Sequence, residues 1–198
     1  MKVAIDVDAF NQLEVRTPRL LIRRMQDADF EAQLAQEIDP RVMRFIRAVP
    51  PREQAEERVR SFIKPWSGED MVWLSFTVEA LDVADIPAGT VLGAVVFRIS
   101  ERQVGCGEIG YRVGPDFKGK GIAYEASQAV LDAVFGQSNL HKMSARCVDA
   151  NKASSRILEK MGMQREGVLR QEALADGERR DLLVYGLLRP EWEAGRNS

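Results

Sequence analysis

Cysteine is scarce in this 198-residue chain: Cys106 and Cys147 are the only two, too few for a disulfide framework. Histidine is scarcer. The single His141 and two cysteines distant in sequence offer no metal-ligand spacing, so no metal is expected, and His141 itself reads as a solvated turn residue. No hydrophobic run approaches the length needed to span a bilayer. Residues 1–12 also lack the charged-then-apolar layout of a secretory leader, so the expected location is cytoplasmic, with no membrane partner. A dominant charge sign is missing too. The 28 Lys and Arg against 30 Asp and Glu leave a net charge of −2, with no basic footprint for direct nucleic-acid binding. Repeats and low-complexity linkers are absent. What remains is an ordinary globular composition, 45% hydrophobic, at a length that suits one domain with a full core.

Against these absences one stretch stands out: Gly107-Glu108-Ile109-Gly110-Tyr111-Arg112-Val113-Gly114-Pro115-Asp116-Phe117-Lys118-Gly119-Lys120-Gly121-Ile122-Ala123-Tyr124-Glu125-Ala126. It reads as a short alternating strand and a turn at Gly114-Pro115-Asp116. A glycine-punctuated loop then enters a helix whose apolar face carries Ala126, Val130, Leu131, Val134 and Phe135. Glycines at 119 and 121 let backbone N–H groups crowd one point, where the unpaired N–H groups and the dipole of the helix start also converge. That is a seat for an anion, above all a phosphate.

Two nucleotide motifs nearly fit the same residues. Gly105-Cys106-Gly107-Glu108-Ile109-Gly110 spells G-x-G-x-x-G, but the dinucleotide motif must follow a strand and open a helix, and here it precedes a strand. Gly114 through Gly119-Lys120 spells G-x-x-x-x-G-K between a strand and a helix. Gly121 then stands where a Ser or Thr hydroxyl should hold magnesium, so triphosphate chemistry loses a central part.

Elsewhere the residues sort into one α/β unit. Strands are expected over 20–24, 72–81, 91–100, 107–113, 142–148, 168–174 and 179–188, and helices over 27–36, 53–66, 152–160 and after the phosphate loop. Asp176-Gly177 between the last two strands is a hairpin signal, and Gly162 suits a left-handed helix cap. The order βααβββαβαββ predicts an α/β (α+β) fold: a mixed, mostly antiparallel central sheet with helices on both faces. A single domain over 14–190 is expected, with an N-terminal extension 1–13 and a tail 191–198. Glu178-Arg179-Arg180-Asp181 could blunt the last hairpin's edge, so monomer and homodimer are both open.

Lys118-Gly119-Lys120-Gly121-Ile122-Ala123 resembles the Gln/Arg-x-x-Gly-x-Gly/Ala phosphate loop of the acetyl-CoA-dependent N-acetyltransferases, the GNAT superfamily. Lys118 keeps the positive charge of the first position without the planar fork of Arg. Three further segments resemble the subgroup that acetylates ribosomal protein N-termini: Thr17-Pro18-Arg19-Leu20-Leu21-Ile22-Arg23-Arg24-Met25 with Asp27-Ala28-Asp29-Phe30, Asn151-Lys152-Ala153-Ser154 with Glu166-Gly167, and Asp181-Leu182-Leu183-Val184-Tyr185-Gly186. The resemblance implies an acetyl-CoA cosubstrate that enters where the strands of residues 107–113 and 142–148 splay. Lys118, Gly119, Lys120, Gly121, Ile122 and Ala123 would hold its phosphates. A bulge near Tyr111, Arg112 and Val113 would free backbone groups for the pantetheine arm, which Asn151 would also bond while capping its helix.

Acetyl transfer from a thioester to an amine needs a neutral amine, donors for the oxyanion and a proton for the departing thiolate. By resemblance Glu108 stands at a base position, the alternative being a carboxylate paired with an Arg in the sheet. The tyrosine that many relatives use as acid is replaced here by Leu158, and Ser154 stands where the ribosomal-protein subgroup uses a hydroxyl. The alternative for Ser154 is a helix-start bond to nearby backbone. The backbone N–H of Val113 is the candidate to polarise the thioester carbonyl. That subgroup's further base falls on Ala173. Glu172 lies beside it, but adjacent strand residues face opposite sides. Phe45, Phe62, Trp66 and Trp73 are candidates for the acceptor cleft or for the core. The expected acceptor is a primary amine, a protein or peptide N-terminus first and a small molecule (amino acid, polyamine or antibiotic) second. A noncatalytic acyl-CoA-binding module is the rival, since it would keep the phosphate loop without needing Glu108 or Ser154.

Overall fold

The computed structural model describes residues 3–196. Its chain order is α1 (Val7–Asn11), β1 (Glu14–Arg16), β2 (Leu20–Arg24), α2 (Phe30–Glu37), α3 (Pro40–Met43), α4 (Arg52–Ile63), β3 (Leu74–Ala80), β4 (Val91–Glu101), β5 (Cys106–Val113), α5 (Ile122–Gly136), β6 (Lys142–Val148), α6 (Lys152–Lys160), β7 (Gln164–Ala175), β8 (Glu178–Leu188) and α7 (Arg189–Arg196). The strands form one sheet ordered β1-β2-β3-β4-β5-β6-β8-β7. Every neighbouring pair is antiparallel except β5 and β6, the parallel pair that the crossover helix α5 joins. The expected mixed, mostly antiparallel sheet is what forms. Four elements escaped the sequence pattern: α1, the short strand β1, the one-turn helix α3 and the C-terminal helix α7.

Each helix is placed by its apolar stripe. In α5 the buried residues are Ile122, Ala126, Ser127, Val130, Leu131, Val134 and Phe135, the face that the spacing foretells, and they pack in the main core with Ile109, Phe97 and Met143. On the other side of the sheet, Leu34 of α2 and Ala55, Val59 and Phe62 of α4 form a smaller core with Met25. Arg24 ties α4 down. Its buried guanidinium donates to the carbonyls of Ser75, Phe62 and Lys64, with no carboxylate partner among the described residues, and burial lowers its pKa to about 10.

Residues 3–13 and α7 are packed rather than trailing. Phe10 is fully buried against Trp66 and Phe97, and Trp192 of α7 lies 5.1 Å from the Phe135 ring. Trp66 therefore belongs to the core. The β7–β8 turn is as read. Asp176 and Gly177 both have positive φ, 55° and 77°, as a two-residue turn matched to strand twist requires. No helix among the described residues is long and apolar enough to cross a membrane.

Candidate active site

The sheet opens at its parallel pair. β5 and β6 are registered only over Cys106–Lys142, Gly107–Met143 and Glu108–Ser144, after which the strands diverge. The ladder between β4 and β5 stays regular from Ile99–Gly107 through Gly93–Val113, so the bulge expected at Tyr111 to Val113 is not there. The divergence of β6 does its work instead. Gly114 gives its N–H to Leu92 on β4, and successive N–H groups of a strand alternate sides. The N–H groups of Val113 and Tyr111 are thus turned to the opposite edge, into the gap.

One end of the gap meets the phosphate loop. A short 3-10 turn, Pro115–Phe117, leads to Gly119 and Gly121 at φ 80° and 78°. A Cβ at Gly119 would find open space, so it is the left-handed backbone, not crowding, that calls for glycine. Gly121 caps α5 without any side-chain help, and the first helical bond runs from Glu125 N–H to the Gly121 carbonyl. The N–H groups of Ile122, Ala123 and Tyr124 therefore have no acceptor within the helix. The loop is braced from a distance. Arg19 donates to the Lys120 carbonyl (3.0 Å) and pairs with Glu125 (2.5 Å), which also accepts from the Thr17 hydroxyl (2.5 Å). Nothing in the local sequence announces this brace, which joins residues more than a hundred apart. Lys118, exposed, donates through Nζ to the Arg41 carbonyl at 3.1 Å.

At the inner end stands a pair of hydroxyls. Asn151 caps α6, its Oδ1 accepting from Ser154 N–H at 3.2 Å. That leaves the Ser154 hydroxyl to meet the Tyr111 hydroxyl at 2.9 Å, and Tyr111 also donates toward the Ser154 carbonyl at 3.2 Å. Burial pushes the Tyr111 phenol well above its ordinary value, so it remains a protonated donor at neutral pH. Tyr111 thus brings a side-chain hydroxyl to the place where only its backbone had been expected to serve.

Side chains alternate along β5, so Glu108, Gly110 and Arg112 face the opposite layer. Glu108 pairs with Arg98 through Oε2 at 2.5 Å, and the Arg98 guanidinium lies 4.3 Å from the Trp73 ring centre. The sheet ion pair weighed as an alternative for Glu108 is present. Arg112, largely buried, donates to Glu37 (2.5 Å) and to Gln33 (2.7 Å) of α2. Its side chain is structural, which leaves only its backbone for a cofactor.

A cleft of about 680 Å³ passes through the gap along Glu108 to Arg112 of β5, while residues 113–123 lie outside its lining. Asn151, Ser154 and Tyr111 line it on one side of the sheet, and Phe45, Phe62 and Trp73 on the other. From β7 come three consecutive residues, Glu172, Ala173 and Leu174, which strict alternation would not allow. The strand is irregular just there. Leu169 pairs with Leu182 and Ala173 with Arg180, and in between Gln171 takes φ 55° while its N–H donates to Asp181. Glu172 therefore reaches the cleft, against the expectation from alternation. His141 lies exposed between α5 and β6 and does not line the cleft.

The profile of the acetyltransferase (GNAT) domain matches residues 19–164. An N-acetyltransferase of Bacillus subtilis, YnaD, described as uncharacterized, is 31% identical over 91% of this chain and 99% of its own length. An alanine N-acetyltransferase of Escherichia coli that acts on a ribosomal protein is 32% identical, over 44% of this chain and 45% of its own. The crystal structure of a spermidine N-acetyltransferase from Vibrio cholerae, in complex with CoA and spermine, superposes with a TM-score of 0.73 at 19% identity, covering 89% of this chain and 99% of that one. The chain belongs to the GNAT family of acetyl-CoA-dependent N-acetyltransferases.

Proposed function

We propose that this cytoplasmic acetyltransferase moves the acetyl group directly from acetyl-CoA to a primary amine, foremost the N-terminus of a protein or peptide. The observation that carries this reading is the cleft, which runs through the opened sheet and puts the Ser154–Tyr111 hydroxyls and the β5 backbone edge in one space with a separate acceptor side. Phosphates rest on the N–H groups of 119–123, where the helix dipole favours them. The pantetheine arm pairs with the β5 edge as an added strand would, with Asn151 beside it. Val113 N–H polarises the thioester carbonyl, and the amine nitrogen attacks its carbon. Glu108 takes the amine's proton, directly or through a water, on the oxygen that Arg98 does not engage. As the C–S bond breaks, Ser154 gives its proton to the thiolate, and Tyr111 holds the serine hydroxyl in line.

Thermal unfolding with acetyl-CoA, desulfo-CoA and magnesium ATP, followed by thiol release against a panel of peptides and small amines, tests the reading. Both CoA compounds should raise Tm, and peptides should release thiol. Stabilisation with no turnover on any acceptor leaves only a binding module, and release with small amines alone moves the acceptor class. Tyr111→Phe should lower kcat about tenfold, the net worth of roughly one hydrogen bond, with cofactor affinity unchanged. A Tyr111→Phe protein with full kcat removes Tyr111 from the mechanism.

A further inference from the structure

The acceptor side of the cleft holds an imbalance of charge. Glu37 is wholly buried, and both of its oxygens are taken, one by Arg112 at 2.5 Å and the other by Arg47. A third guanidinium, Arg58 of α4, lines the same cleft one helical turn before Phe62. No carboxylate among the described residues forms an ion pair with Arg58. Burial first, and the charge of Arg58 among the other causes, holds both Arg47 and Arg112 below the ordinary guanidinium value despite Glu37. Three cations thus surround one anion in a place partly withdrawn from water, where an unbalanced charge is costly. The rest of the lining does not offset them. Glu108 is engaged by Arg98, Arg146 adds another positive group, and Glu172 stands exposed on β7 rather than on the wall built by α2 and α4.

We infer that the amine acceptor carries a carboxylate, which Arg58 and Arg47 receive at the α4 wall of the cleft. The inference rests on the proposed transfer and narrows its acceptor. It disfavours polyamines, whose charge has the wrong sign for this wall, and it assigns Arg58 as a specificity-determining residue. Two sources share the chemistry: an acidic side chain near a peptide N-terminus, and the α-carboxylate of a free amino acid.

The test pairs acceptors that differ only in the acid. One arm compares C-terminally amidated peptides bearing Asp or Asn at the second residue. The other compares free amino acids with their amides. The wild-type protein should show a kcat/KM at least about tenfold higher for the acid in one arm, as a charge-assisted bond made by a partly buried guanidinium implies. Arg58→Gln should bring that ratio close to one, and Arg58→Glu should invert it, while kcat/KM for the amides changes little. A ratio near one in the wild type, or one that Arg58→Gln leaves intact, overturns the inference. Binding is measured independently, by titrating N-acetylated acid and amide peptides and amino acids into protein saturated with desulfo-CoA. An affinity for the acid forms that Arg58→Gln abolishes supports the carboxylate seat, and equal affinity for acid and amide overturns it. If no acceptor releases thiol, the transfer reading fails, and this titration alone decides the seat.

Discussion

Glu37→Gln should destabilise the fold by about 3–5 kcal/mol, the cost typical of breaking a buried ion pair by removing one partner. Glu37 is the only carboxylate bonded to Arg112 and Arg47 among the described residues. A neutral amide there leaves two guanidinium groups facing each other, with Arg112 largely enclosed and its Nε already without an acceptor. Water can hydrate Arg47, which is partly exposed, but it has little access to Arg112. Equilibrium unfolding in urea measures the loss as a shift in midpoint at constant slope. A decrease below about 1 kcal/mol would mean that desolvation has already cancelled the pair's attraction. The double variant Glu37→Gln, Arg47→Gln should recover part of the loss, because one of the stranded charges goes with it.

Ser154→Ala carries the largest expected effect on rate. Loss of a general acid costs on the order of 10²- to 10³-fold in kcat. The substitution leaves the α6 cap intact, since Asn151 accepts from the Ser154 backbone N–H rather than from its hydroxyl. Cofactor affinity and Tm should therefore hold, with Tyr111 turning to the Ser154 carbonyl that it already approaches at 3.2 Å. Single-turnover kinetics, which separate chemistry from product release, give the decisive number. A fall of less than about fivefold would assign the thiolate's proton to solvent or to another donor.

How much of this could be read from the chain depends on how far each feature reaches along it. The phosphate loop, the Asn151 cap, the buried face of α5 and the Asp176-Gly177 turn are local, each fixed by a backbone angle or a periodicity within a few residues. The Tyr111–Ser154 pair, the Arg19–Glu125 brace and the Glu37 cluster join residues 43, 106 and 75 apart, and no composition or spacing marks such partners. Alternation served well along β5, where the ladder is regular, and failed at Glu172, where β7 bulges. A strand pattern describes side chains only while the pairing stays in step. For Glu108 both readings were open from the residue alone, because a carboxylate in a strand suits a base and an Arg partner equally. The contact with Arg98 lies across a neighbouring strand, where only the register reveals it.

The irregularity in β7 also bears on how this hairpin can change in length. Four steps along β7, from Leu169 to Ala173, answer two along β8, from Leu182 to Arg180. The surplus is even, so the pleat resumes beyond it with inner and outer positions unexchanged. A surplus of one is also taken up in this strand, at Arg165 to Gly167, where two steps along β7 answer one along β8 and the pairing then continues. The hairpin that supplies Glu172, Ala173 and Leu174 can therefore take up extra residues in β7, remodelling one wall of the cleft while β8 and the sheet beneath keep their register.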